Sequence, residues 1–302
     1  MAGRDEPRLR RSMLMTPGNR ADRLLKAPAY PADCLVFDLE DSVPPAAKAK
    51  ANARAAVSQA LARRRQNARE RVRINAFESG FGADDLAGVP LTMIDSIMLP
   101  KVESAAGLLE VQRRLEALGC NGGRARPLEL IVALETPRGI FEALPIALAT
   151  PRTTAIFFGS GDYTAATGAA VTATALLFPR SIVAPAAGAA GIQPIDAAYF
   201  QDGRDAQATR QDALAVRALG FAGKVVFHPE QVTVANPVFS PTVAEVDHAR
   251  RIVAAYSEAL ASSHGTSLAG GVFVAIDLVA PAERLLRLTA MVESNDGARP
   301  SP

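Results

Sequence analysis

Glu135 and Asp162 are the residues of this chain whose type and placement point most directly to chemistry. Glu135 ends the apolar run of LELIVALETPRGI, and Asp162 follows the run of AIFFGSGDY. Carboxylates with no neighbouring Cys or clustered His favour a hard cation. Magnesium takes one or two protein carboxylates and keeps positions for water and substrate. Glu135 and Asp162 are therefore the expected metal ligands. Other polar residues fall at the ends of apolar runs: Asp38, Glu40 and Asp41 in FDLED, Arg73 in RVRIN, Lys101 in LPKVE, Asp196 in QPID and His228 in FHPEQ. Glu40 and Asp41 are placed to orient water around the ion. Arg73 alternates with apolar Val72 and Ile74. It would either clamp a substrate carboxylate through two parallel hydrogen bonds or cap a barrel against an internal acid. Lys101 would support the same acids or pair with Glu103 or a rim carboxylate. Any one acid taken alone is as well explained as a helix cap or a surface ion pair. His228, held before a proline, reads as fixing a loop and is given no catalytic role. No Ser-His-Asp order or nucleophile elbow is visible.

The elements that must carry these residues alternate. Short runs rich in β-branched or large apolar residues lie at 12–16, 34–38, 71–75, 96–99, 130–134, 155–158, 191–196 and 224–227. Helical spacing separates most of them, at 45–64, 104–118, 137–149 and 205–219. Strand-helix alternation implies parallel β-α-β units, and near-continuous apolar strands such as LIVAL fit a sheet covered on both faces. Eight units in about 230 residues is the size of a TIM (β/α)8 barrel, whose function collects at the C-terminal strand ends. An open doubly wound sheet is the rival fold, but no GxGxxG follows a strand. After the eighth strand the pattern changes to a helix over 242–261, a Gly-rich stretch and a helix over 281–292. The expected organisation is a barrel over 11–235, a helical lid or oligomerisation segment over 236–293, and a disordered tail over 294–302.

Composition excludes several classes. Thirty-three basic against 31 acidic residues give a net charge of +2, no general case for nucleic acid. Two cysteines, Cys34 and Cys120, are too few for a disulfide framework and suit a reducing cytoplasm. The charged N-terminal stretch has no long apolar core of a secretory signal. The longest uncharged apolar stretch, roughly 164–179, is short for a membrane span. The arginine-rich run 63–71 reads as a solvated helix end.

Taken together, RRSMLMTPGNRADRL, CLVFDLEDSVPPAAKAK, RVRIN, IMLPKVES, IVALETPRGI, FFGSGDYTAATG, ALGFAGKVVFHPEQVTVAN and FSPTVAEVDHARRIVAA resemble the CitE-like branch of the HpcH/HpaI aldolase and citrate lyase β-subunit family. They run in consistent order over about 11–255. The resemblance implies a TIM barrel with a C-terminal lid, a homotrimer, Mg²⁺ as cofactor, and cleavage or formation of a carbon–carbon bond in 3-hydroxyacyl thioesters such as citryl-CoA, malyl-CoA or citramalyl-CoA. The partners so implied are a CoA or acyl-carrier thioester and a small 2-oxo acid. It matches Glu135 and Asp162 to the metal ligands and Arg73 to the substrate-carboxylate arginine. It also sets Arg20 and Gly161 among the substrate contacts, with Arg20 near the thioester carrier. The family's lid carries an acid/base Asp in a G-x-M-V-D motif that reaches a neighbouring subunit's site. Here Gly271-Val272-Phe273-Val274 is followed by Ala275, so the role falls to Asp277 two places on, or the chemistry is altered. A thioesterase on the same scaffold and a non-catalytic binding subunit are the alternatives.

Overall fold

The computed structural model describes residues 8–63, 70–119, 127–197, 202–261, 266–269 and 272–297. Most of the arginine-rich run (64–69), Cys120, His264, Gly271 and the last five residues lie outside them.

Eight parallel strands close into a barrel in chain order: β1 (Ser12–Pro17), β2 (Cys34–Asp38), β3 (Glu70–Arg73), β4 (Ser96–Leu99), β5 (Glu129–Leu134), β6 (Thr153–Phe158), β7 (Gln193–Ala197) and β8 (Gly223–Val226). Pairing of β8 with β1 seals the ring. This is the TIM-type α/β barrel that the strand-helix alternation predicts. The strands are buried on both faces, which explains why they read as continuous apolar runs rather than alternating ones.

Successive side chains on a strand face opposite ways, and this repeat of two builds the interior. Met13 and Met15, Cys34 and Val36, Ile131 and Ala133, Ala155 and Phe157, and Ile195 and Ala197 join Met98 and Val225 in one buried cluster. One step further toward the C-terminal mouth, the same alternation brings Asp38 after Val36, Glu135 after Ala133 and Gly159 after Phe157. On β3 the register pairs Arg71 with Val36 and Arg73 with Asp38, so both arginines share the inward face.

The helices of the barrel are α1 (Ala21–Lys26), α2 (Ala47–Ala62), α3 (Gly82–Gly88), α4 (Ala105–Ala117), α5 (Pro137–Phe141), α6 (Ala143–Leu148), α7 (Ser160–Thr167), α8 (Ala173–Ala190) and α9 (Ala206–Ala218). The single helix expected over 137–149 is broken at Glu142. Pro145 has no N–H for the carbonyl of Phe141 and its ring crowds that carbonyl, so α5 ends there. Helix α8 carries Pro179 and Pro185 and is apolar nearly all round, so no helical stripe marks it in the sequence. It is long and apolar enough by composition to cross a membrane, yet it packs against β6, β7 and α6.

The chain divides after Asn236. Helix α10 (Pro229–Val238) runs across that point, and the second unit contains α11 (Val243–Ala261), an antiparallel hairpin of β9 (Ser267–Ala269) and β10 (Val272–Val274), and α12 (Ile276–Gly297). Its core joins Ala249 and Ile252 to Val274, Val279 and Ala282, with Leu285 and Leu286 packed alongside. Helix α12 starts five residues before the expected 281 and runs through the expected tail as far as Gly297. Polar residues add to an established helix at one hydrogen bond each, so Ser294–Asp296 extend it rather than fray.

Candidate active site

Glu135 stands one residue beyond the end of β5, almost wholly buried. Its Oε1 accepts a 2.8 Å hydrogen bond from the Lys101 backbone N–H. Lys101 adopts φ +50°, a left-handed conformation rare for a residue with a side chain, and its N–H meets Glu135 from that turn. The neighbouring strand makes room in a different way. The β5–β6 register pairs Ala133 with Phe157, which brings Gly159 beside Glu135. A Cβ at residue 159 would stand 2.6 Å from Glu135 Cβ and closer still to Oε2. Only glycine leaves that carboxylate its place.

Arg73 is bound along two edges. Its Nε and Nη2 donate to Asp38 Oδ1 and Oδ2 at 2.6 and 2.7 Å, and Nη1 lies 2.8 Å from Glu40 Oε2. The two-bond clamp expected for a substrate carboxylate is therefore made to Asp38, because Asp38 and Arg73 are register partners on adjacent strands. Arg73 still lines the cavity described below, and a guanidinium has five N–H donors, more than these contacts use. Asp38 is the residue that sequence reasoning noted at a strand end but did not assign to the site.

Lys101 does not pair with Glu103. Its ammonium donates to Glu40 Oε1 at 2.7 Å, lies 3.3 Å from Asp41 and 3.8 Å from Asp162. It thereby ties the two acids after β2 to the one after β6. Behind them the buried Lys50 ammonium donates to the carbonyls of Leu39 and Glu40 at 2.7 Å each, which fixes the loop that presents Glu40.

These groups and an apolar wall enclose a cavity of about 330 Å³ lined by Asp41, Arg73, Glu135, Gly161 and Asp162 on one side. Met15, Phe157, Ala197 and Phe227, with Gly159 and Ser160, complete it. Gly161 and Asp162 lie in the first turn of α7. Arg20 is not among the lining residues. It caps α1 and pairs with exposed Asp22, 3.0 Å away. Asp277 is an exposed residue of the first turn of α12 in the second unit, and Ala275 precedes that helix.

The electrostatics of the mouth are unbalanced. Asp38, Glu40, Asp41, Glu135 and Asp162 face Arg73 and Lys101 with Lys50 behind them, five acids against three cations. Burial, then the charge of Glu40 with Asp162 adding to it, outweighs Arg73 and pushes Glu135 up to about 8. Burial also lifts Glu40, against the opposing charges of Arg73 and Lys101. Asp38 behaves otherwise: burial works against its charge, but the Arg73 contact holds it below the usual carboxylate range. Burial likewise opposes the charge on Lys101, which its hydrogen bond to Glu40 more than restores.

A buried carboxylate crowded by like charge, bordering a cavity and bonded on one oxygen, is suited to a divalent cation. Among the described residues no group of three or more His, Cys, Asp or Glu is placed to hold a metal ion, which leaves at most two such ligands for one here. Two oxygen donors, Glu135 and Asp162, beside an open cavity fit magnesium and its retained waters.

Comparison with known proteins agrees with this geometry. The family model described as HpcH/HpaI aldolase/citrate lyase matches residues 11–229. Citrate lyase subunit beta of Escherichia coli K12 is 37% identical over 88% of this chain and 89% of its own. The L-malyl-CoA/beta-methylmalyl-CoA lyase of Rhodobacter capsulatus is 32% identical over 95% and 96%. Among solved structures, CitE of Mycobacterium tuberculosis in complex with magnesium, acetoacetate and coenzyme A superimposes with a TM-score of 0.71. It is 30% identical, over 92% of this chain and 97% of that one.

Proposed function

Because the chain belongs to the HpcH/HpaI aldolase/citrate lyase family, we propose that it is a magnesium-dependent carbon–carbon lyase that cleaves a 3-hydroxyacyl-CoA thioester into an acyl-CoA and a 2-oxo acid. The observation that carries this reading is the pair of carboxylates Glu135 and Asp162 lining one cavity, with Glu135 buried and crowded by like charge. They would hold the ion, which when bound supplies Lewis-acid stabilisation of negative charge on the oxo-acid oxygens.

The remaining residues bind, orient and move protons. The free end of Arg73 meets the substrate carboxylate, while its bonds to Asp38 and Glu40 keep the guanidinium from turning. Lys101 fixes Glu40 and Asp41 next to the ligands. In the cleavage direction the 3-hydroxyl loses its proton as the C2–C3 bond breaks. The electron pair goes to the α-carbon of the acyl thioester, and that carbon then takes up a proton. Asp277 in the second unit is the acid we assign to this transfer, since Ala275 occupies the place where the resemblance expects an Asp. A homotrimer, in which one copy's second unit serves another copy's cavity, is the assembly this assignment uses.

The test is product analysis with purified protein. Acetyl-CoA, magnesium and a 2-oxo acid should give a 3-hydroxyacyl-CoA, and EDTA should abolish the reaction. When the 3-hydroxyacyl-CoA itself is offered, release of a free hydroxy acid and CoA with no 2-oxo acid formed would assign a thioesterase instead. Binding without turnover would assign a non-catalytic subunit.

A further inference from the structure

The cavity has two unlike walls. Asp41, Arg73 and Glu135 come from β2, β3 and β5 and the turns that follow them, and Asp162, with Gly159, Ser160 and Gly161, from the segment after β6 that opens α7. The other wall is Met15, Phe157, Ala197 and Phe227, from β1, β6, β7 and the turn after β8. Strands β6, β7, β8 and β1 are consecutive around the closed ring, so these four residues form a continuous apolar arc. Met15, Phe157 and Ala197 are buried, and Phe227, 43% exposed, forms the outer edge.

A 2-oxo acid offers a carboxylate and a keto oxygen to the polar wall, and its substituent then has the apolar arc to meet. Among the described residues Arg73 is the one cation that lines the cavity, and Asp38 and Glu40 already occupy most of its donors. Lys101, the next nearest, is held by Glu40, Asp41 and Asp162. A second carboxylate on the substrate would lose its water against an apolar surface and find no uncommitted cation there.

We propose that this cavity selects 2-oxo acids with a small uncharged substituent, as in pyruvate, over those with a second carboxylate, as in oxaloacetate. The proposal rests on the reading of the site as a magnesium and 2-oxo acid site. Ala197 leaves room for a methyl-sized group, and Phe157 and Phe227 supply the surface it packs against. The expected preference is about 100-fold in affinity.

Calorimetric titration of the full chain with pyruvate and with freshly dissolved oxaloacetate, each with magnesium present and decarboxylation followed by NMR, measures this without turnover. Tighter binding of pyruvate by tenfold or more supports the proposal. Equal or tighter binding of oxaloacetate overturns it while leaving the lyase reading intact. Binding of neither acid overturns both. The Phe227→Arg variant supplies a second check, because it puts a cation on the apolar arc at a half-exposed position. It should shift the preference toward oxaloacetate by at least about tenfold. An unchanged ratio in a variant that still binds magnesium contradicts the assignment of the apolar arc as the selecting surface.

Discussion

Two charge clusters lie in the barrel, one enclosed between strands and helices and one at the partly open mouth, and they differ in charge balance. Between the strands and the helices, Arg180 of α8 makes two bonds to Asp196 of β7, at 3.1 and 2.9 Å, and one to Asp212 of α9. Lys224 of β8 donates to the same two acids at 2.5 and 2.6 Å. Two cations meet two acids. Burial works against the charge on Arg180, but Asp196 and Asp212 outweigh it and hold the guanidinium firmly protonated. At the mouth five acids meet three cations, Arg73, Lys101 and Lys50, and Glu135 is pushed up to about 8. The first cluster is complete in itself and ties strand to helix. The second is satisfied only by a further positive charge. Local polarity alone does not separate them; charge balance does.

Breaking the balanced cluster should cost the fold most. Lys224→Met leaves buried Asp196 and partly exposed Asp212 with one cation fewer. Stability should fall by about 3–5 kcal/mol in urea titration, with magnesium affinity of the folded fraction unchanged. At the mouth the sign reverses: Glu135→Ala removes a buried carboxyl whose charged form is disfavoured by burial and neighbouring acids, so stability should hold or rise. Activity should fall by about 10³-fold as the ion is lost, read from kcat/KM against magnesium concentration. A smaller effect is expected from Gly159→Ala. Its added methyl displaces Glu135 without removing it, and should weaken magnesium by about 10–100-fold while the circular dichroism spectrum stays that of the parent.

The mildest effect is on pH dependence. In the metal-free protein Glu135 keeps a proton up to about 8, whereas the unfolded chain releases it near the ordinary value of 4.5. Over that window the native state holds more protons, so its stability falls as pH rises. Magnesium competes with that proton, so its stabilising effect should grow over the same range. Thermal melts at pH 6 and 8.5, with and without magnesium, check both signs. A magnesium shift that is larger at pH 6 would contradict the assignment.

How much of this was legible in the sequence follows from which interactions are local. The strands were readable because each is buried on both faces, and β2 and β4 coincide with their apolar runs. Glu135 was readable because a carboxylate directly after LIVAL has no local partner. The Asp38–Arg73 pair was not, because it depends on the register between strands whose partners are 35 residues apart. Gly159 was hidden for the same reason. Its role is to yield space to a residue on the neighbouring strand. The apolar arc was hidden because Met15, Phe157 and Ala197 read as core, which they are on every criterion except the cavity they border. Helix α8 was missed because Pro179 and Pro185 interrupt a sequence with no polar face.

The most direct test is calorimetric titration of magnesium into the protein at pH 8, beside Glu135→Gln and Asp196→Asn. Excess charge at the mouth predicts one ion per chain in the parent, none in Glu135→Gln and undiminished affinity in Asp196→Asn. Retained binding in Glu135→Gln, or its loss in a folded Asp196→Asn protein, would contradict the account.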